Sequence, residues 1–435
     1  MDADELLARS LQEEEDRLSV AELMRAEAQQ ASSSNQQRNY FARRLDGGIR
    51  TVLEYETPTA RAAALSVIPL KRLQTEADVL VERASRKASS TENQASDEVG
   101  DDNEEIHKRQ RVPENISRLD AVLLRLLLWF KHEFFTWCDA PLCGSCGTPK
   151  PTPAGAGKPT NDELKHGANR VELFTCGNEG CKKEVRFPRY NDPVKLLSTK
   201  TGRCGEYANA FTLCCVSLGY EARWVLDWTD HVWTEVWSAD QNKWLHCDSC
   251  ENICDQPLLY EKGWGKKLSF VVAFGVHDVV DVTRRYIIDV PGNEQRRRAI
   301  LGGEGDEMWL GETIASRRGA SRSSLTDERQ ATLSARDVRE QAELIACVSV
   351  NSMTGDNTSL HGRTTGSLAW RAARGELGEL PVEGEEEKEA FKVFDPVAEA
   401  VRLEFTRLTT KVGTSPNEAA AKALGTVRRA LRDDK

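Results

Sequence analysis

Apolar positions recur along this chain at two different periods, and the change from one to the other marks out its organisation. Leu7, Leu11, Leu18, Leu23 and Met24 fall near helical spacing in a dense field of Glu and Arg, which predicts a solvated amphipathic helix over residues 4–28. Gln29 to Gln37 reads as a polar linker, residues 50–83 as two short helices around Ile68-Pro69, and Ala84 to Gln110 as a flexible insertion rich in Ser, Asp and Glu. From Ser117 the pattern strengthens. Leu119, Leu123, Leu124, Leu127, Leu128, Phe130 and Phe134 make a helix apolar on more than one face, as a core element must be.

A second helical pattern, Ala208, Phe211, Cys215 and Leu218, is headed by Cys204. The period then drops to two. Ala222 to Leu226 is a strand, and His231 to Trp237 alternates so that His231, Trp233 and Glu235 share one face. After a turn at Ser238 to Gln241, Lys243 to Asp248 forms a further strand. Paired as a hairpin, with Trp237 opposite Asn242, the two strands bring Asp248 opposite His231. Residues 291–346 are charged and helical in pattern, 383–389 is an acidic linker, and Phe394 to Leu431 has helical spacing. These readings predict an α+β protein with four parts. Residues 1–38 are an acidic helix and linker, followed by a core with an insertion at 84–112. A charged helical extension of that core covers 291–380, and residues 381–435 form a linker and helical tail.

Composition narrows the function. The chain has 435 residues, of which 29% are charged, and a net charge of −10, which argues against a broad basic surface for nucleic acid. No apolar run reaches membrane-spanning length, and the opening MDADELL lacks the basic and apolar regions of a signal peptide. A soluble cytosolic protein is expected, so its 12 cysteines read as metal ligands, catalytic groups or reduced core residues.

Cys204 stands between Gly202 and Gly205 at the start of its helix. The positive helix end biases a thiol toward thiolate, and the glycines would admit a substrate backbone; a buried cysteine that only packs is the competing reading. His231 and Asp248 supply what a nucleophile needs, a base and the carboxylate that orients it. His246 lies on the same face as Asp248 and is the rival base. Cys143-Gly-Ser-Cys146 and Cys176-Gly-Asn-Glu-Gly-Cys181 have the layout of a tetrahedral structural zinc site, with Lys150 to Lys165 as the loop between the pairs. Cys247, Cys250 and Cys254 read as packing residues.

The segments GRCGEYANAFTLCC, DWTDHVWTEVWS, WLHCDSCENICDQPLLYEKGWGKKLSF and VVDVTRRY together resemble the cytosolic peptide:N-glycanases, of the papain-related, transglutaminase-like superfamily. Further similar segments are LLLWFKHEFFTWCDAPLCGSCG and the island GRTTGSLAWRAARGELG at 361–378. The resemblance covers residues 40–290 and implies for them a papain/transglutaminase-like catalytic core with a zinc-binding subdomain at 143–181 and a catalytic triad of Cys204, His231 and Asp248. It also implies structural zinc on Cys143, Cys146, Cys176 and Cys181, although the family's second pair is usually Cys-x-x-Cys. Transglutaminase-type sites suggest an indole N–H as second oxyanion donor, here Trp137, and Arg223, Trp233 and Glu235 match residues kept beside the family's cleft. The implied activity is release of N-linked, high-mannose glycans from misfolded glycoproteins, with the glycosylated Asn left as Asp. Implied partners are Rad23 and proteins of the ubiquitin–proteasome or p97 pathways, and the implied location is the cytoplasm and nucleus. Two other classes remain: a thiol protease or protein-crosslinking transglutaminase, and a non-catalytic scaffold on the same fold.

Overall fold

The computed structural model describes residues 35–89, 115–149, 151–301, 304–353 and 360–378. The expected helix at 4–28, the acidic linker at 383–389 and the tail at 394–431 lie outside the described residues, as does the insertion from residue 90 onward. Two boundaries move. Residues 35–37 open a helix that runs to residue 54, and Ala84–Ser89 complete the helix Leu70–Ser89, whose Leu73, Ala77, Leu80 and Ala84 are buried at helical spacing. Continuing burial on one face, not local composition, carries that helix into the Ser-rich stretch.

At the centre is a six-stranded antiparallel sheet. Its strand order is Asp278–Asp281, Val271–Gly275, Ala222–Asp227, His231–Ser238, Lys243–Asp248 and Ile253–Cys254. The helix Cys204–Ser217 lies on one face, where Thr212 and Thr234 share a hydroxyl hydrogen bond of 2.8 Å. Tyr260, Trp264, Leu268, Tyr286 and Leu344 cover the other face, with Trp233 among them. Because both faces are covered, the central strand His231–Ser238 is buried at every position except Trp237. Of the charged helices at 290–301, 304–322 and 327–353, the last packs Leu344 on this side, whereas Leu301, Leu310 and Ile314 of the other two join the cluster that holds Phe211 and Leu213 of the Cys204 helix. Among the described residues no helix is long and apolar enough to cross a membrane.

The hairpin register differs from the expected one. Ser238 pairs with Lys243 and Trp237 with Trp244, across a loop whose last residue, Asn242, takes a left-handed φ of 54°. The turn sits one residue later than the hydrophobic pattern implies, since Asn tolerates that conformation and closes the loop. The pairing is displaced by two residues. Side chains alternate with period two, so the displacement leaves every face assignment intact, and His231 and Asp248 still share one.

The core helix Arg118–Trp129 starts at Ser117, whose hydroxyl accepts from the Asp120 N–H at 3.1 Å, and continues into a π turn at Phe130–Phe134. It is buried on most sides, but Leu119, in its first turn, is exposed. The stretch between the cysteine pairs is not a loop. Thr152–Gly157 is the edge strand of a three-stranded antiparallel sheet with Val171–Thr175 and Glu184–Pro188, and Asn161–Lys165 is a short helix. Proline and glycine hide such a strand from sequence reasoning; both occur on sheet edges, and Gly155 sits at a bulge with φ 102°.

Gly202 precedes the Cys204 helix for a packing reason. A Cβ there would lie 2.3 Å from the Cβ of Glu206, whose buried carboxylate accepts from the Arg203 N–H at 2.9 Å. Gly205 meets nothing within 4 Å. Gly202→Ala is therefore expected to lower the thermal midpoint, at a cost of about 1–3 kcal/mol, whereas Gly205→Ala leaves it unchanged or raises it. Thermal melts of the two variants followed by circular dichroism check the contrast.

Candidate active site

Cys204 is half-buried at the first turn of its helix. The helix start is braced from the three-stranded sheet: Arg189 bonds both Glu206 oxygens at 2.6 and 2.8 Å, and Arg203 bonds Glu172 at 2.7 Å and the Cys138 carbonyl at 3.1 Å. A cleft of about 410 Å³ opens onto Cys204 between Arg170, Arg189, Arg203, Asp230, Trp370 and Arg374. Burial is the dominant influence on the thiol and pushes it above its ordinary value; the guanidiniums of Arg363 and Arg189 pull the other way. The thiolate bias expected from the helix end is thus outweighed in the free chain by desolvation.

His231 and Asp248 meet. Nε2 of His231 lies 2.8 Å from Oδ2 of Asp248, and both side chains are fully buried. Asp248 gathers three further donors: the Tyr260 hydroxyl at 3.0 Å, and the backbone N–H groups of Cys250 at 2.9 Å and Glu251 at 3.3 Å. A carboxyl group that takes four donors is an acceptor throughout, so the shared proton resides on His231 Nε2. Nδ1 is then the basic nitrogen, and it is buried with no partner among the described residues. Burial, then the nearby Arg363 and Lys266 charges, hold the ring well below the usual imidazole range, which makes it neutral.

His246 occupies another place in the same network. Its Nε2 lies 2.7 Å from the Tyr260 hydroxyl, and because that hydroxyl donates to Asp248, its oxygen accepts from His246. His246 therefore reaches Asp248 only through Tyr260, while His231 touches it directly. Neither histidine ring is left loose: Trp264 and Tyr260 stand 4.9 and 5.2 Å from the His231 ring, centroid to centroid, and Trp233 and Tyr286 flank His246 at 6.0 and 5.8 Å.

The residues expected beside a sugar lie elsewhere. Arg223, Trp233 and Glu235 are 1%, 0% and 0% exposed and their polar groups are taken up by core partners, so none is left for a ligand. Arg223 bonds Glu235 and Glu340, reaches Asp278 at 2.9 Å, and stacks 3.7 Å from the Trp244 ring centre. Arg285 bonds the same two glutamates at 2.6 and 2.8 Å, and Trp233 donates its indole N–H to Tyr286 at 2.8 Å. Their contribution is to hold the helix Asp327–Met353 on the sheet. Trp137 does adjoin the nucleophile, since it pairs with Gly202 in a short parallel ladder, but its indole N–H donates to Asp139 at 2.9 Å. Sequence reasoning assigned no role to Tyr260 or Arg363. Both lie in segments of family resemblance, YEKGWG and GRTTG, so position was available although function was not.

The four cysteines come together. Their sulfurs all lie within 4.8 Å of one another, with Cys146 to Cys176 at 3.5 Å and Cys143 to Cys181 at 3.8 Å. A tetrahedron built on metal–sulfur bonds of about 2.3 Å has edges of about 3.8 Å, so this donor set fits a closed metal site. The two extra residues of the second pair are taken up in a turn, where the Cys181 N–H donates to the Asn178 carbonyl at 2.9 Å.

The buried His246 has a consequence for acid stability. Desolvation lowers its pKa to about 4, against about 6.5 for an unperturbed imidazole. Between those values the unfolded chain binds a proton that the folded one refuses, so stability is complete above pH 6.5 and falls as the pH drops toward 4. His246→Gln is expected to flatten that part of the curve, by roughly 2–3 kcal/mol between its ends, while His231→Gln leaves the His246 contribution in place. Denaturant unfolding of the wild type and both variants between pH 4 and 7 measures the slope.

The chain is similar to known proteins. Residues 153–249 match the Transglutaminase-like superfamily, and residues 228–345 match the Rad4 transglutaminase-like domain. The central α+β unit is a transglutaminase-like fold. A peptide-N(4)-(N-acetyl-beta-glucosaminyl)asparagine amidase of Gallus gallus is 43% identical over 363 residues, 82% of this chain and 50% of that protein. The protein of the same name from Oryza sativa subsp. japonica is 40% identical over 371 residues, 85% of this chain and 73% of that protein. A solved structure, Rad4-Rad23 bound to a 6-4 photoproduct UV lesion, aligns at 16% identity and a TM-score of 0.36 over 66% of this chain and 55% of that one. The chain spans about half the length of the chicken and mouse amidases it matches. On the strength of these identities, the chain belongs to the peptide-N(4)-(N-acetyl-beta-glucosaminyl)asparagine amidase family.

Proposed function

We propose that this chain is itself an asparagine amidase, removing N-linked glycans from unfolded glycoproteins through Cys204, His231 and Asp248. The observation that carries the reading is the buried His231–Asp248 bond, which leaves Nδ1 as a free base in a protein of this family. His231 Nδ1 takes the proton of the Cys204 thiol as the sulfur adds to the side-chain carbonyl of a glycosylated Asn. A carbon–sulfur bond forms and the carbonyl oxygen becomes an oxyanion, for which the Cys204 backbone N–H at the helix start is a ready donor. As the carbonyl re-forms, the carbon–nitrogen bond breaks and the departing glycosylamine receives the proton from His231. Water, deprotonated by His231, then hydrolyses the thioester; the peptide keeps Asp and the thiol is restored.

High-mannose glycans on misfolded proteins are the substrate class this reading names. The cleft over Cys204 supports it, since an extended chain with its glycan pendant can reach a nucleophile set in an open cleft. We assign the four-cysteine site to zinc, with a structural role, because four thiolates close the coordination sphere and leave no position for substrate. In that role Cys143 and Cys146 are tied to Cys176 and Cys181, fastening the segment that follows Trp137 to the three-stranded sheet that braces the Cys204 helix.

Incubation with denatured ribonuclease B, read by mass spectrometry, tests the activity. The wild type is expected to yield the free glycan and Asp at the former glycosylation site, and Cys204→Ala to yield neither. Intact glycoprotein after treatment with the wild type overturns the proposal, and cleavage of the peptide backbone replaces it with a protease. For the metal, elemental analysis is expected to find one zinc per chain, and Cys176→Ala to lose both the zinc and several degrees of thermal midpoint. A purified wild type that is metal-free and melts at an unchanged temperature after zinc is added removes that assignment.

A further inference from the structure

The catalytic centre holds a cation that the triad does not use. Arg363 is buried, with its side chain fully inaccessible, yet its Nη2 has no hydrogen-bond partner among the described residues. Its other two nitrogens are engaged: Nη1 bonds Glu376 at 2.7 Å and Nε bonds the Thr365 hydroxyl at 3.3 Å. A buried guanidinium N–H left unpaired is destabilising, so a fold that retains one at its active centre points to an acceptor outside the protein.

Position says where that acceptor arrives. The guanidinium carbon lies 5.3 Å from the Trp137 ring and 4.7 Å from the Trp264 ring. Trp137 pairs with Gly202, two residues before Cys204, and Trp264 packs 4.9 Å from the His231 ring. Arg363 is thus wedged between the wall of the nucleophile and the wall of the base. Trp370, which lines the cleft over Cys204, closes the third side at 4.6 Å. Its placement is rigid: the backbone N–H of Arg363 donates to the Glu376 carbonyl at 2.9 Å, and the next two residues bond the Glu251 carboxylate. Glu376 does not cancel the charge alone, because its other oxygen accepts from Arg374 at 3.0 Å. The influence of Arg363 on both Cys204 and His231, favouring negative charge on the sulfur and opposing positive charge on the ring, agrees with this placement.

An oxyanion on the carbon attacked by Cys204 needs a second donor beside the Cys204 backbone N–H. The indole of Trp137 has given its N–H to Asp139. We propose that Arg363 is that donor, a catalytic residue whose Nη2–H bonds the substrate carbonyl oxygen as it takes up negative charge. The inference rests on the amidase reading for the identity of the substrate, and on the placement and unpaired Nη2 of Arg363 for the donor. When the sulfur adds, the carbonyl electron pair moves to oxygen and is held by Nη2–H; when the amine leaves, the pair returns and the hydrogen bond relaxes. A cation contributes more here than an indole would, since a charged hydrogen bond in a dry site is roughly twice as strong as a neutral one.

The test uses two readouts on the full chain. The first is the rate of Cys204 alkylation by anionic iodoacetate relative to neutral iodoacetamide, which needs no glycan. The second is kcat and KM on a glycopeptide. To avoid stranding Glu376, the main variant is the double exchange R363Q/E376Q, with R363K beside it. The double variant is expected to lose the preference for iodoacetate by roughly tenfold, and to lose kcat by about 10²–10³-fold with KM nearly unchanged. R363K keeps the preference and loses part of kcat, because a lysine cannot serve Glu376 and the oxyanion together. A folded double variant with wild-type preference and kcat overturns the proposal, and so does a raised KM with kcat intact, which makes Arg363 a substrate anchor. If the double variant fails to fold, full kcat in R363K overturns it. Should the wild type release no glycan at all, the amidase reading fails, and the alkylation ratio still decides whether Arg363 charges the Cys204 centre.

Discussion

The four-way coordination of the Asp248 carboxylate is the constraint on which the catalytic region depends. A buried carboxylate is tolerable only when its oxygens are satisfied, and the four donors that satisfy Asp248 come from three different pieces of the centre. His231 comes from the neighbouring strand, Tyr260 from the loop that covers the sheet, and the two backbone N–H groups from the turn at Cys250 and Glu251. That turn extends the network, because the carboxylate of Glu251 accepts the backbone N–H groups of Thr364 and Thr365 at 3.0 and 3.1 Å. The segment that carries Arg363 therefore hangs on the same turn that secures Asp248. A shift of either carboxylate would move the base and the buried cation together.

A second buried network works differently. Arg223, Arg285, Glu235 and Glu340 alternate in charge, and each is at most 3% exposed. Desolvating four charges gains little net stability, but it specifies one docking of the helix Asp327–Met353, since any other leaves charges unpaired in the core. Glu235 shares a strand face with His231 and Trp233, and its Oε1 also accepts from the Tyr286 hydroxyl at 2.7 Å. Tyr286 in turn accepts from Trp233, whose ring lies 4.3 Å from that of Tyr260, the donor to Asp248. Removing Glu235 would thus loosen the packing beneath the triad without touching a substrate.

The parts of this protein that depend on periodicity were legible in its sequence. Period two placed His231 and Asp248 on one face, and that survived a displaced register because the displacement was even. The helix headed by Cys204 and the two cysteine pairs were equally plain, since spacing alone carries them. What depends on long-range packing was hidden. Nothing local says that Gly202 makes room for Glu206, that a Pro-Gly-Ala stretch becomes an edge strand, or that Arg223 and Glu235 are buried partners of Glu340, more than 100 residues away. Arg363 is the extreme case: it lies 159 residues beyond Cys204 (363 − 204), and only the fold sets it beside the nucleophile.

The resting charges of the centre bear on the order of proton transfers. Burial disfavours the thiolate at Cys204 and the imidazolium at His231, so the free site holds a neutral thiol and a neutral ring. In the proposed reaction, a ring of depressed basicity would take the thiol proton only as the new carbon–sulfur bond forms. Once protonated it is a stronger acid than an ordinary histidine, which suits the harder half of the reaction, since an amide nitrogen leaves only when it receives a proton. As the proposed oxyanion donor, Arg363 would act on both halves in the same sense. Its charge favours electrons gathering on sulfur or oxygen and resists charge remaining on the ring, so it would drive the proton onward to the leaving amine. A centre built this way would make its ion pair during the reaction, and the buried cation would stabilise that state more than the one before it.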